Sequence, residues 1–204
     1  MNVKTKKNCL GAVVALLMAT MLMALLPTEA EARIYADTLR LHILANSDTE
    51  EDQALKLSVR DKILEKYSGR LRDSKNMTEA ETAVRSLISE IERDAETWIR
   101  ELGYGYSVKA TLTREWYDTR EYEDFTLPCG YYDSLQIIIG NGNGKNWWCV
   151  MYPPLCIDIA TERAPADDAA LKYTNEELML ISSQKYNIKF KILEIVSEAF
   201  AKNG

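Results

Sequence analysis

In the stretch Leu102-Gly103-Tyr104-Gly105-Tyr106-Ser107-Val108-Lys109-Ala110-Thr111-Leu112 the chain changes its period. Before it, Ala80, Val84, Leu87, Ile88, Ile91, Ala95, Trp98 and Leu102 recur at helical spacing and form one apolar stripe. After it, Tyr106, Val108, Ala110 and Leu112 alternate with polar residues, as a half-buried strand requires. Gly103 closes the helix, and Thr78 with Glu81 three residues on opens it as a capping box. Helix and strand therefore fall in separate blocks rather than in βαβ alternation, which predicts an α+β fold.

The same reading extends in both directions. Upstream, Leu39 to Leu44 alternates as a strand, and Asn46-Ser47-Asp48-Thr49 supplies capping side chains, Ser47 with Glu50 and Asp48 with Glu51. The helix that follows, Glu50 to about Tyr67, sets Ala54, Leu57, Ile63 and Leu64 along one side and stops at Ser68-Gly69. Downstream, Trp116-Tyr117 and Tyr122 to Phe125 continue the two-residue period, and Ser134 to Ile139 forms a strand buried on both faces. Trp147 to Met151 completes an antiparallel meander, with Gly140 to Gly144 as its hairpin connection. Ala164 to Asp168 reads as a turn, Asn175 as the cap of a short helix through Ser182, and Ile188 to Ala201 as a last amphipathic helix. The expected architecture is a small antiparallel sheet packed by amphipathic helices in a single domain.

The N-terminus sets the compartment. Lys4, Lys6 and Lys7 precede an uninterrupted apolar run from Cys9 to Leu26, Pro27 breaks it, and Ala30-Glu31-Ala32 is a small-x-small cleavage pattern. Residues 1–32 read as a signal peptide, and the run is also just long enough to serve as an uncleaved membrane anchor. Either way the body, 33–204, lies beyond the membrane. Cys9 stands at the start of the run, so it is no lipoprotein acylation site. Loss of residues 1–32 removes three lysines and two glutamates, leaving a net charge of −7. That balance, with no basic run, excludes nucleic-acid binding and an electrostatic grip on anionic lipid.

Catalytic templates fail in turn. His42 is the single histidine, placed mid-strand, and no Gly-x-Ser-x-Gly elbow accompanies it. One histidine with Cys129, Cys149 and Cys156 lacks the Cys-x-x-Cys pairing of zinc sites, so no metal or other cofactor is expected. Gly140 to Gly144 leaves three residues where a phosphate loop needs four, and Asn146 replaces its Ser or Thr. Asp118, Glu121, Glu123 and Asp124 cluster by one strand connection, where a solvated acidic edge explains them and also discourages strand pairing.

The remaining signal is Trp147-Trp148-Cys149-Val150-Met151-Tyr152-Pro153-Pro154-Leu155-Cys156. Adjacent tryptophans on a strand point to opposite faces, so one is expected in the core. The other, with Tyr152, Pro153 and Pro154, would form an exposed apolar patch suited to a protein partner. A Cys149–Cys156 bridge would close a short loop worth about 2–3 kcal/mol, with Cys129 either left over or competing for a partner.

Leu41-His42-Ile43-Leu44-Ala45-Asn46-Ser47-Asp48, Asp52 to Lys56 and Val59-Arg60-Asp61 together resemble the stage II sporulation protein R family. So do Leu127-Pro128-Cys129-Gly130-Tyr131-Tyr132 and, above all, Gly144-Lys145-Asn146-Trp147-Trp148-Cys149-Val150 with Tyr152 to Cys156. The likeness runs in order from about Arg40 to Cys156. It implies an exported signalling protein of endospore-forming bacteria, made in the forespore and sent into the space between forespore and mother cell. There it would trigger a membrane-embedded aspartic protease of the mother cell that removes the pro-sequence of the early mother-cell sigma factor. The resemblance also implies Cys149 and Cys156 as the recurring cysteine pair, with Cys129 a small core residue. Two surfaces are candidates for the partner: the corner Asn46-Ser47-Asp48, which helix capping alone would explain, and the aromatic segment Trp147, Trp148, Tyr152, Pro153 and Pro154. The competing expectation is an exported cell-wall hydrolase acting through His42 or a carboxylate pair.

Overall fold

The computed structural model describes residues 3–122, 125–153, 173–182 and 188–201. Two helices lead in: α1, Val3–Leu25, and α2, Glu29–Ala36. Strand β1, Leu39–Leu44, is followed by the long helices α3, Glu50–Arg72, and α4, Met77–Glu101. Then come β2, Val108–Tyr117, the short β3, Arg120–Glu121, and β4, Thr126–Leu127, and the strands β5, Gly130–Ile139, and β6, Asn146–Tyr152. Helices α5, Asn175–Ser182, and α6, Ile188–Ala201, end the described chain.

The class is α+β, with a sheet that is mixed rather than wholly antiparallel. Its order is β2-β5-β1-β6: β5 pairs antiparallel with β2 but parallel with β1, and β1 pairs antiparallel with β6. The meander therefore does not form, and Gly140 to Gly144 is not a hairpin, because β1 is inserted between β5 and β6. Local turn chemistry carries no record of a strand arriving from ninety residues upstream. Ile137 and Ile139 are buried and Ile138 only half so, in keeping with β5 as a central strand.

Helices α3 and α4 cover one face of the sheet. Arg60 of α3 lies over Trp147, which pairs with Ile43, so that face carries Leu41, Ile43, Leu135 and Ile137. The buried stripe of α3 is Leu55, Val59, Ile63, Tyr67 and Leu71. Ala54 and Leu57, expected on that side, are exposed. Gly69 does not end the helix, because Tyr67 and Leu71, four apart, both bury and outweigh a cost of about 1 kcal/mol for glycine in a helix. Thr49 and Asn76 are the actual N-caps of α3 and α4. α4 also guards the edge strand β2: Ala110 and Val108 N–H groups donate to Glu92 and Glu96 carboxylates (2.8 and 3.1 Å).

The other face is closed at one end by α2, α5, α6 and the β3–β4 ribbon. Tyr35 of α2 packs edge-on against Tyr132 and donates to the Cys129 carbonyl (2.9 Å). Gly130 is obligatory beneath it, since a Cβ there would meet the Tyr35 ring at 2.7 Å. Thr28 and Glu31 form a capping box, Ile34 is fully buried, and Arg33 bonds Glu177 of α5 (2.8 Å). The expected cleavage point after Ala32 therefore lies inside a helix that is built into this domain.

Candidate partner-binding site

The two most distinctive sequence blocks meet in space. Leaving β1, Asn46 accepts from the Asn141 N–H (3.0 Å), Asp48 accepts from the Lys145 N–H (2.6 Å), and the Ala45 carbonyl accepts from the Gly144 N–H (2.9 Å). Lys56 of α3 completes the clasp by donating to the Lys145 carbonyl (2.7 Å). Gly144 is fixed by this approach: a Cβ would lie 2.2 Å from the Ser47 carbonyl oxygen. Asp52 takes hydrogen bonds from Ser47 Oγ (2.6 Å) and Asn46 Nδ2 (2.8 Å). Burial alone would push its carboxyl up, yet these donors, joined by Tyr106, hold it below the usual carboxylate range. The corner Asn46-Ser47-Asp48 thus does more than cap a helix; the Asn46 and Asp48 side chains seat the glycine loop, and Ser47 braces Asp52.

That seating delivers β6 and its tryptophans. Trp147 faces α3, under the Arg60 guanidinium (4.8 Å). Trp148 faces the opposite side, where Arg120 stacks on it at 4.0 Å and His42 lies 5.7 Å away. Both tryptophans are half-buried. Tyr152 is only 3% exposed, and Pro153 is buried behind a cis peptide bond. Tyr152 and Pro153 are therefore buried rather than part of an exposed apolar patch; Pro154 and Cys156 lie outside the described residues. Cys129 is a free thiol, buried against the Phe190 carbonyl, and burial pushes its pKa up to about 11.

Around Trp148 the sheet face is polar and aromatic. His42 Nδ1 sits 2.7 Å from Glu115 Oε2, and Gln136 donates to the other oxygen of that carboxylate (3.0 Å). Arg40 is fully buried and has no carboxylate partner among the described residues. Its guanidinium lies 3.9 Å from the Tyr117 ring centre and donates to Tyr122 (3.0 Å), while its Nε and Nη1 make no hydrogen bond. Sequence reasoning passed over Arg40, Glu115, Gln136 and Arg120 because their meeting depends on strand register; only the two-residue period of β1 could have placed Arg40 beside His42.

A histidine paired with a carboxylate is two-thirds of a nucleophilic triad. No third member joins it among the described residues. Ser134 is turned to the Tyr117 hydroxyl (2.6 Å), and Cys149 pairs with Leu41, so it belongs to the opposite face. Nor does any group of three metal-ligating side chains form there. Glu123 and Asp124 of the acidic cluster lie outside the described residues, and Asp118 accepts from the Trp116 indole (3.2 Å).

Fold and site together define an α+β domain with one sheet face of cations and aromatic rings, behind an apolar helix that fits a signal sequence and so points to export. The family described as Stage II sporulation protein R matches residues 35–162, and the chain belongs to that family. It is 30% identical over 182 residues to the "Stage II sporulation protein R" of Bacillus subtilis (strain 168), covering 80% of this chain and 81% of that protein. No solved structure matches. The family is one of sporulation signalling factors, not of known enzymes, and the chain has a role in sporulation.

Proposed function

We propose that this chain is the signal passed from forespore to mother cell during endospore formation. Made in the forespore and exported into the intermembrane space, it activates the membrane-embedded aspartic protease of the mother cell. That protease then removes the pro-sequence of the early mother-cell sigma factor. The observation that carries this reading is the family match across 35–162, which takes in both the corner and the tryptophan strand.

Activation needs a ligand that prefers the active state of its receptor; equal affinity for both states shifts nothing. Trp147 and Trp148 are the anchors we assign to receptor contact, each half-exposed and each carrying a stacked guanidinium. Tyr152 and Pro153 shape the strand end behind them, with Pro154 assigned to the same contact by its place in the sequence, and Asn46, Ser47 and Asp48 set the position of that strand. A Cys149–Cys156 bridge holds the segment. In its support, Cys149 is disulfide-bonded while Cys129 is free.

A photo-crosslinking amino acid at position 148 or 147 tests the contact during sporulation. Capture of the protease supports the reading; normal signalling with no capture from either position refutes it. The alternative, an exported cell-wall hydrolase, rests on the His42–Glu115 pair. It predicts release of soluble fragments from purified peptidoglycan, abolished by His42→Ala; the signalling reading predicts no release from either protein.

A further inference from the structure

Helix α6 turns two of its charged residues inward and several large apolar ones outward. Its inward residues include Lys189, Phe190 and Glu194, and the charged ones are bonded to the rest of the chain. Lys189 Nζ contacts Glu31 Oε2 (2.5 Å) and donates to the Leu26 carbonyl (2.8 Å), and Glu194 accepts from the Thr119 N–H (2.9 Å). Its outward side carries an apolar stripe, Ile188 69% exposed, Ile195 57%, Val196 44% and Phe200 77%, with the exposed Lys191 and Glu198 along its edge. Those positions fall at i, i+7, i+8 and i+12, so they form one stripe along a helix about 21 Å long. A helix that ties Lys189 and Glu194 inward, shows isoleucine and phenylalanine outward and keeps Lys191 and Glu198 at the edge of that stripe suits an apolar surface bordered by water.

The neighbour is indicated by α1. That helix carries no charged residue from Asn8 to Leu25, is long and apolar enough to cross a membrane, and is unburied along its span. Leu26, just past its end, is the residue whose carbonyl Lys189 holds. The first turn of α6 is thus tied to the point where α1 would leave a bilayer. The tie is double, because Glu31 of α2 grips the same ammonium group. A lipid surface placed around α1 would begin where α6 begins.

We propose that α6 is an interfacial membrane-contact helix whose Ile188, Ile195, Val196 and Phe200 stripe rests on the lipid surface beside α1 while α1 is retained. Zwitterionic lipid suffices, because the stripe is apolar and the chain carries a net charge of −6. This surface does not depend on the protease reading, and its test needs no protease.

The full chain, made by cell-free synthesis into phosphatidylcholine vesicles so that α1 stays attached, would be irradiated with a lipid bearing a carbene precursor in its acyl chain. Peptides are then read by mass spectrometry. Label is expected on α1 and on residues 195–200, and Ile195→Lys with Phe200→Lys should lower the α6 label about tenfold while leaving the α1 label unchanged. Both side chains are exposed, so the double variant should unfold at the wild-type temperature. Label on α1 with none on α6 would overturn the proposal. So would α6-to-α6 cross-links between chains in the same vesicles, which would assign the stripe to a second copy.

Discussion

Gly144→Ala is the sharpest perturbation of the clasp between the corner and the glycine loop. The new Cβ would stand 2.2 Å from the Ser47 carbonyl oxygen and 2.9 Å from the Ala45 Cβ, far inside the roughly 3.5 Å at which non-bonded heavy atoms sit comfortably. The Ser47 atoms are backbone and cannot rotate away, so the loop must retreat. Retreat strains or breaks the Gly144–Ala45, Lys145–Asp48 and Lys56–Lys145 hydrogen bonds. Overpacking costs about 1–3 kcal/mol, and each lost bond about 1 kcal/mol, more where a charge is involved. Partial relaxation leaves about 3 kcal/mol. In a domain of this size that lowers Tm by about 6–12 °C. Thermal unfolding followed by near-ultraviolet circular dichroism reports it directly, because Trp147 and Trp148 sit just past the loop. Gly105→Ala is the control, with nothing within 4 Å of its Cβ, and should shift Tm by less than about 2 °C. A Gly144→Ala protein that melts with wild type would refute the clasp.

Further outcomes follow from the same geometry. Arg40→Met should be neutral or stabilising by about 1–2 kcal/mol in denaturant unfolding, because a buried guanidinium with two unmade hydrogen bonds and no counter-ion among the described residues costs more than its stacking on Tyr117 returns; a loss above about 3 kcal/mol would show the reverse. The Asp52 carboxyl is held below its unfolded value, so its contribution is complete above about pH 4 and is lost as pH falls through the lower folded value; Asp52→Asn should flatten the fall in Tm between pH 5 and 3, and an unchanged slope would contradict this. A chain starting at Arg33 lacks the Thr28 cap and Glu31, so it should be about 2–4 kcal/mol less stable in denaturant than one starting at Pro27, and equal midpoints would mean that α2 contributes nothing.

Much of this architecture was legible where a segment states its own period. β1 spans Leu39–Leu44 and α6 Ile188–Ala201 as expected, α4 begins two residues before a Thr78 cap would start it, and α5 ends at Ser182 as expected but takes in Asn175 rather than being capped by it. What failed depended on residues far away in the chain. Asn46 to Gly144 read as two independent features, a cap and a hairpin, whereas β1 inserts between β5 and β6 and makes them one. Tyr152 and Pro153 read from the sequence as exposed apolar residues, yet the β1 pairing draws Tyr152 opposite Leu39 into the core. The Ala54 side of α3 lost to the Leu55 side because the sheet, not the helix, decides which stripe is covered.

The claim that this chain is a signal is tested most directly by reconstitution in a non-sporulating host. The chain would be co-expressed with its cognate membrane protease and the pro-sigma substrate, with and without residues 1–32, and substrate cleavage followed on a blot. Cleavage only when the exported chain is present, weakened by Trp148→Ala in a protein that still folds, is the predicted result. Uncleaved substrate, with chain and protease both present, folded and correctly located, would contradict the account.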